Sequence, residues 1–437
     1  MNKRLVILGG GFAGLQLARH IGTAPYEVTL IDQNNFHQFQ PLFYQVATGR
    51  LEPSAISFPL RKVFQGNKQV HVRVSEVLAV DVAGQKVITT DSEYPYDTLV
   101  IATGCRTNFF GNENMARYAW PMKSTNEAIA LRNRILQNFE DSLTATEAEQ
   151  AELMNIVIAG AGPTGVELAG SLAEMKRHIL PKDYPDMDFS RLTVYLVEGG
   201  PNTLQAMSED SRRKSRLYLE EMGVQVMTDT IATDYDGHTL TLKGGQQIPT
   251  RTLVWSAGIS GNVPSGLPQD SIVRGNRIKT DAYNKVVGVD NVYALGDIAY
   301  METEDYPKGH PQVANVAINQ AKNLAANLKR MVKGGQQKPF EYVSPGSMAT
   351  VGKHKAVVDL PRFSFQGRVA WFVWMFLHLM LILSVRNKLF IFFNWAFSYF
   401  TNDTTLRLIL RPDNKEFLRT KSRESIPKAP ANLPSAG

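Results

Sequence analysis

Two runs of three glycines carry the first chemical signal. Gly9-x-Gly11-x-x-Gly14 follows the apolar run at residues 4–8 and opens an apolar-periodic segment from Phe12 to Ile21. In such a run the first glycine permits a tight turn. The second lets backbone approach a pyrophosphate, and the third lets helix and strand pack closely. The phosphate rests on free N–H groups at the helix N-terminus, where the helix dipole favours an anion. Asp32 ends the next apolar stretch, 23 residues after Gly9. A carboxylate there accepts hydrogen bonds from ribose hydroxyls. Gly160-x-Gly162-x-x-Gly165 repeats the pattern, with Glu198 as its acidic partner 38 residues after Gly160. The surplus length falls at residues 178–191, in the expected helix-to-strand connection. One such turn could be a strand–helix corner with no ligand. Two copies, each framed by strand, helix and terminal acid, predict two dinucleotides and electron passage between them. Glu198 is followed by Gly199, Gly200 and Pro201, with no Arg or Lys to hold a 2′-phosphate. NADH is therefore expected over NADPH.

The elements that must position these turns are legible nearby. Residues 4–8 suit a parallel strand buried on both faces, and Tyr26–Ile31 reads as the second strand of a βαβ unit. The unit recurs as a strand at 155–159, a helix at 166–178 and a strand at 193–197. Between the units lie a strand-rich region (70–101) and a polar helix (about 124–151). Short strands near 224–255, turns at 258–268, a strand at 291–295 and a helix over Gln312–Val332 follow. The expected fold class is α/β, with two Rossmann-like dinucleotide-binding domains and a C-terminal membrane-associating helical region.

Composition narrows the class. The chain has 437 residues, 43% hydrophobic and 20% charged, ordinary for a globular protein and long enough for roughly three domains. Cys105 is the single cysteine, which excludes an intramolecular disulfide, a redox-active cysteine pair and a multi-cysteine metal site. No metal site is expected. The net charge is +6, yet residues 361–428 hold eleven Lys/Arg against four Asp/Glu, or 11 − 4 = +7. Beside so apolar a stretch, this excess could meet nucleic acid or an anionic membrane surface; of the two, the membrane is the expected partner and no nucleic acid is expected. The N-terminal apolar run, Leu5–Leu8, is shorter than the roughly 7–15 residues of a secretory h-region, so a cytosolic start is expected.

Residues 369–385 carry no charge. As a helix they span about 25 Å, short of the roughly 30 Å hydrocarbon core. Arg386-Asn387-Lys388 then breaks the run, and residues 389–400 span only about 18 Å. Trp371, Trp374, Trp395 and Tyr399 are types that favour the membrane interface. Two helices lying in one leaflet, a monotopic anchor, are expected. The alternatives are a buried dimer face and a spanning helix. The tail from about residue 420 is expected to be disordered.

Several longer motifs resemble the flavoproteins with two dinucleotide-binding domains. Asp97-Thr98-Leu99-Val100-Ile101-Ala102-Thr103-Gly104 looks like the family's ATG motif, and Leu253-Val254-Trp255-Ser256-Ala257-Gly258 like its counterpart on return from the NAD domain. Val292-Tyr293-Ala294-Leu295-Gly296-Asp297 looks like the second FAD motif, whose Asp binds the ribityl chain; the alternative for Asp297 is a helix N-cap. More specifically, His37-Gln38-Phe39-Gln40-Pro41-Leu42-Phe43-Tyr44-Gln45-Val46-Ala47-Thr48-Gly49 resembles the segment beside the isoalloxazine in type II NADH dehydrogenases. Residues 162–170 and Ser347–Gly352 match that family too. The resemblance spans about residues 3–411.

It implies a single-subunit, non-proton-pumping respiratory NADH:quinone oxidoreductase with FAD and NADH as cofactors. The implied acceptor is a membrane quinone (menaquinone or ubiquinone). The implied setting is a homodimer on the lipid bilayer surface, peripheral at the cytoplasmic face of the inner membrane. The domains implied are FAD (1–113 and 258–335), NAD (114–257) and a C-terminal region (336–437). Implied cofactor contacts are Gly9, Gly11, Gly14, Asp32, Gln45, Thr103, Gly104, Gly258, Gly296 and Asp297, with Gly160, Gly162, Gly165 and Glu198 for NADH. The family's Ala-Gln-x-Ala-x-Gln-Gln signature is Ala314-Asn315-Val316-Ala317-Ile318-Asn319-Gln320 here. Asn315 and Asn319 keep the amide at a shorter reach, or are helix-surface amides. Glu167 could steer nicotinamide or protons, or merely compensate a helix dipole. Lys355 could sit near flavin or quinone, or be a solvated lysine. A lone Cys105 cannot serve the thiol chemistry of disulfide reductases or sulfide:quinone oxidoreductases. The rival reading is a soluble NADH-dependent flavin reductase feeding a protein acceptor such as a ferredoxin.

Overall fold

The computed structural model describes residues 2–22, 24–401 and 406–410. The chain opens with β1 (Lys3–Leu8), α1 (Phe12–Ile21) and β2 (Tyr26–Asp32), then a short helix α2 (Phe43–Ala47), β3 (Val70–Val74) and β4 (Thr98–Ile101). The second unit comprises β5 (Trp120–Pro121), α3 (Thr125–Ser142), β6 (Asn155–Ala159), α4 (Pro163–His178), β7 (Thr193–Val197), α5 (Glu209–Glu221), β8 (Gln225–Met227) and β9 (Thr252–Trp255). The chain returns through β10 (Val292–Ala294) and α6 (Ala314–Val332). It ends in β11 (Ser347–Thr350), β12 (Ala356–Asp359), β13 (Ser364–Gln366), α7 (Arg368–Leu381) and α8 (Val385–Thr401).

Two five-stranded parallel sheets form the core, in the orders β10-β4-β1-β2-β3 and β5-β9-β6-β7-β8. On the first sheet, α1 and α6 cover the face that carries Leu5 and Ile7, and strand and loop residues including Val80, Val87 and Tyr96 cover the face that carries Leu8, which is why all three are fully buried and the strand reads as an unbroken apolar run. The first sheet draws β10 from beyond the second unit, so the second unit is an insertion. The two crossings meet as an antiparallel ribbon, Cys105–Thr107 against Ile259–Gly261. The expected polar helix over 124–151 is two helices, α3 and Glu147–Met154. The second has its own capping box from Thr146 and Glu149, which starts a new helix instead of continuing the old one.

β11, β12 and β13 form an antiparallel sheet that carries α7 and α8 onto the rest of the molecule. A Cβ on Gly170 of α4 would lie 2.4 Å from the Gly352 amide nitrogen, so the two backbones touch where the C-terminal sheet meets the second unit. No helix among the described residues is long and apolar enough to cross a membrane. The helices instead bury one face and expose the other. Trp374 and Trp395 point inward, while Phe372, Phe376, Phe393, Phe397 and Phe400 are exposed. This corrects the expectation that Trp374 and Trp395 sit at a membrane interface: they pack on each other, Trp374 meets Tyr44, and the Trp395 indole bonds Gln45. The expected disordered tail lies outside the described residues.

Candidate functional site

The two glycine turns have the same construction. Gly9 has φ +100°, and a Cβ there would lie 2.3 Å from the Ala102 carbonyl oxygen. Gly160 has φ +103°, with Ala257 Cα 2.7 Å from its added Cβ. Gly14 and Gly165 each place that atom 1.9 Å from the carbonyl oxygen of the first glycine in the turn. The middle glycines differ: a Cβ on Gly11 or Gly162 would meet nothing within 4 Å. These two residues cap α1 and α4 without any side-chain hydrogen bond. Each turn therefore offers an open cradle facing uncapped helix N–H groups, which fits a pyrophosphate.

The acidic partners also match. Asp32 accepts from the Gly10 amide at 2.6 Å and the Asn34 amide at 2.7 Å. Glu198 accepts from the Ala161 amide at 2.7 Å and the Gly200 amide at 2.8 Å. Burial pushes the Asp32 carboxyl above its usual range, and these amides oppose the shift.

A cleft of about 520 Å³ runs between the units, lined by Gly11, Gly104, Gly258, Gly296 and Asp297 together with Glu167 and Trp255. Asp297 has Lys123 Nζ at 4.0 Å; burial raises its pKa, and Lys123 and Arg277 oppose this. Gln312 Nε2 donates to the Asp297 carbonyl at 2.9 Å, and Gln320 Oε1 accepts from the Gly296 amide at 2.8 Å. Neither glutamine nor Lys123 was singled out from sequence. Gln320 closes the amide signature that drew attention to Asn315 and Asn319, whereas nothing local marks Lys123. Thr103 spends its hydroxyl on the Asn262 carbonyl at 2.7 Å. Burial, then the Asp297 charge, push the Cys105 thiol up to about 12, so it has little thiolate character.

Glu167 sits on α4 where it is buried at the cleft wall, with the Thr350 amide 3.4 Å from Oε1. Desolvation pushes its pKa up to about 8, opposed by that amide and by the Trp374 indole. A carboxyl held above its unfolded value keeps its proton when the unfolded chain has lost it, so stability falls as pH rises from the ordinary range toward 8. Glu167→Gln, which cannot ionise, is expected to show a flatter melting-temperature profile between about pH 5 and 8. Parallel profiles for variant and wild type would contradict a protonated Glu167.

A smaller pocket of about 40 Å³ lies under α7 and α8, lined by Tyr44, Gln45, Arg50, Lys353, Trp374 and Trp395 among others. Trp395 Nε1 donates to Gln45 Oε1 at 2.8 Å, Gln45 Nε2 donates to the Tyr44 hydroxyl at 3.0 Å, and that hydroxyl meets Thr350 Oγ1 at 3.1 Å. Three expectations change here. Gln45 lines this pocket rather than the nucleotide cleft, because α2 turns its amide toward α8. Lys355 lies outside both cavities: it pairs with Glu221 and sits over the Tyr218 ring. It precedes β12 and lies against the end of α5, and Lys353 is the lysine that reaches the pocket, donating to the Ser398 and Tyr399 carbonyls. Asn315 is exposed and Asn319 half-buried, and neither lines the cleft, whose wall on α6 is Ala314 and Ala317.

Comparison with known proteins agrees with this geometry. Residues 3–321 match the model of the pyridine nucleotide-disulphide oxidoreductases, and residues 345–402 match that of the NDH2 C-terminal domain. A type II NADH:quinone oxidoreductase, Ndh, of Mycobacterium tuberculosis is 33% identical over 434 residues, covering 96% of this chain and 92% of its own. The chain belongs to the type II NADH:quinone oxidoreductase family. Another member, from Staphylococcus aureus, is 30% identical over 364 residues, 81% of this chain and 89% of its own. The NDH2 of Plasmodium falciparum, solved in complex with NADH, superposes with a TM-score of 0.86 at 20% identity, covering 94% of this chain and all of that one. A sulfide:quinone oxidoreductase from Aquifex aeolicus shares the fold less closely, at a TM-score of 0.69 and 17% identity, over 88% of this chain and 92% of that one.

Proposed function

We infer that the chain oxidises NADH and reduces a membrane quinone without pumping protons, and that the two glycine turns and the pocket under α7 and α8 divide the work. The observation that carries this reading is one cleft shared by both glycine turns, with a pocket beside it that opens beneath an exposed apolar helix pair. When bound, FAD supplies the two-electron carrier between NADH and quinone. Gly9, Gly11, Gly14 and Asp32 hold its pyrophosphate and ribose, and Gly104, Gly296 and Asp297 line the path of the remainder. Gly160, Gly162 and Gly165 hold NADH, with Gly258 at the mouth. Glu198 serves the NADH ribose. Glu167, on the cleft wall, holds a proton near the reacting groups. Tyr44 and Gln45 couple it to α8. Asn315 and Asn319 lie one turn apart on α6, outside the cleft wall.

The exposed aromatic faces of α7 and α8, with Arg386 and Lys388 in the first turn of α8, support seating on an anionic bilayer at the cytoplasmic face. A homodimer is the expected assembly. A quinone entering between the helices reaches the cleft without crossing water. Anaerobic mixing with NADH should bleach the flavin, and menaquinone or ubiquinone should restore its colour. A flavin restored only by a ferredoxin would favour the flavin-reductase reading instead.

The wild type is expected to use NADH at least about 100-fold better than NADPH, since Glu198 would face the 2′-phosphate. Glu198→Gln removes that repulsion and should narrow the gap about tenfold, read as the ratio of kcat/KM values. An NADPH rate equal to the NADH rate in the wild type would refute the repulsion.

A further inference from the structure

His378 lies on α7, the first of the two apolar helices, yet its ring lines the nucleotide cleft alongside Glu167 and Met348. It stacks on Trp374 with ring centroids 4.0 Å apart and an interplanar angle of 21°. Phe39 meets it edge-on at 6.3 Å. Its Nδ1 lies 2.8 Å from the Trp374 carbonyl. A carbonyl can only accept, so Nδ1 carries the proton and Nε2 is a bare lone pair. Desolvation pushes the pKa down to about 4, so the ring is neutral near pH 7. His378 is thus a hydrogen-bond acceptor on the cleft wall, and its donor nitrogen is already committed.

Reducing a quinone to a quinol adds two electrons and two protons. It turns two acceptor oxygens into O–H donors. We propose that His378 is a substrate-contacting residue of the quinone half-reaction, its Nε2 accepting the O–H that forms as quinone becomes quinol. An acceptor facing the oxidised carbonyl has nothing to receive. The contact therefore strengthens as reduction proceeds, which favours the reaction over mere binding. A buried site built around one hydrogen bond discriminates strongly against a ligand that lacks the donor. This inference rests on the NADH:quinone reading.

The test uses the full-length flavin-loaded protein. His378→Phe keeps an aromatic ring against Trp374 and removes the acceptor, and His378→Gln restores a polar group near the Nε2 position. Bleaching by NADH is expected to stay within about twofold of wild type in both. Reoxidation by a short-chain ubiquinone is expected to slow at least tenfold in His378→Phe and to recover to within about threefold in His378→Gln. Unslowed reoxidation in His378→Phe would overturn the proposal. So would equal slowing of both half-reactions, which marks a packing role or a contact with the flavin.

The wild type provides a second measurement that needs no variant. The short-chain quinol should inhibit at least tenfold more tightly than its dimethyl ether, which has no O–H to donate. An ether that binds as well as the quinol overturns the proposal. Absence of reoxidation by any quinone in the wild type would instead mean that the NADH:quinone reading itself had failed.

Discussion

Gly14→Ala is expected to purify without yellow colour, and Gly165→Ala to purify yellow but unbleachable by NADH. In both turns a methyl group at the third glycine would sit 1.9 Å from a carbonyl oxygen of the same turn. Backbone, not a flexible side chain, must give way, and the helix N-terminus moves off the phosphate. Loss of the cradle should weaken each nucleotide more than about 100-fold, since several charge-assisted backbone contacts go together. The two variants separate the assignments. Gly14→Ala should take up flavin poorly even when incubated with excess FAD. Gly165→Ala should bleach with dithionite, proving an intact flavin, while the KM for NADH rises beyond measurement. Far-UV circular dichroism close to wild type distinguishes a local defect from unfolding. Exchanged phenotypes would reverse which turn takes which nucleotide. Retained colour and retained NADH bleaching in both variants would refute the cradle altogether.

Replacing Phe372, Phe376 and Phe393 with Ser is expected to release the chain from anionic vesicles, by at least about 100-fold in partitioning. These side chains are 50%, 63% and 64% exposed. A phenylalanine taken from water into an apolar phase contributes about 1.5–3 kcal/mol, so even partial insertion of three accounts for that loss. The melting temperature should fall far less than for a core residue, because at least half of each side chain faces outward and the ring contacts of Phe372 and Phe393 are with the neighbouring rings of Trp371, Tyr399 and Phe392. Trp374→Ser provides the contrast. Trp374 is 1% exposed, and its truncation opens a cavity between Tyr44, His378 and Trp395 that costs about 3–5 kcal/mol. That variant should melt early and still bind vesicles until it unfolds. Vesicle co-sedimentation together with thermal melting reads both effects. Unchanged binding of the triple variant would turn the apolar face from a membrane surface into a contact with a second copy.

The nucleotide turns were readable because their requirements are local. A strand, three glycines and a helix lie within about fifteen residues, and each glycine answers a steric demand of the backbone around it. The acids at Asp32 and Glu198 were readable for a related reason, since a parallel βαβ unit returns the next strand beside the first at a nearly set distance. The insertion of one unit in the other was implied by the family resemblance, since the repeat alone fits two units in tandem equally well.

The C-terminal third was less legible. Hydropathy identifies two apolar helices but does not say which flank faces inward, because both flanks are aromatic. Trp374 and Trp395 look like interface residues in sequence and are core residues in the fold. Lys353 and Lys355 are two positions apart, and their fates depend on where a turn ends and strand alternation begins.

What the sequence by itself determined is the pair of dinucleotide cradles, their acidic partners, the absence of a thiol relay and the presence of an apolar C-terminal end. All of these depend on residues close in the chain. What only the tertiary structure decided is the meeting of distant segments: Lys123 with Asp297, Gln320 with Gly296, Trp395 with Gln45, and His378 with the cleft that holds Glu167. Those contacts arise because side chains fill whatever space the packed layers leave, and sequence periodicity carries no information about what stands across the gap.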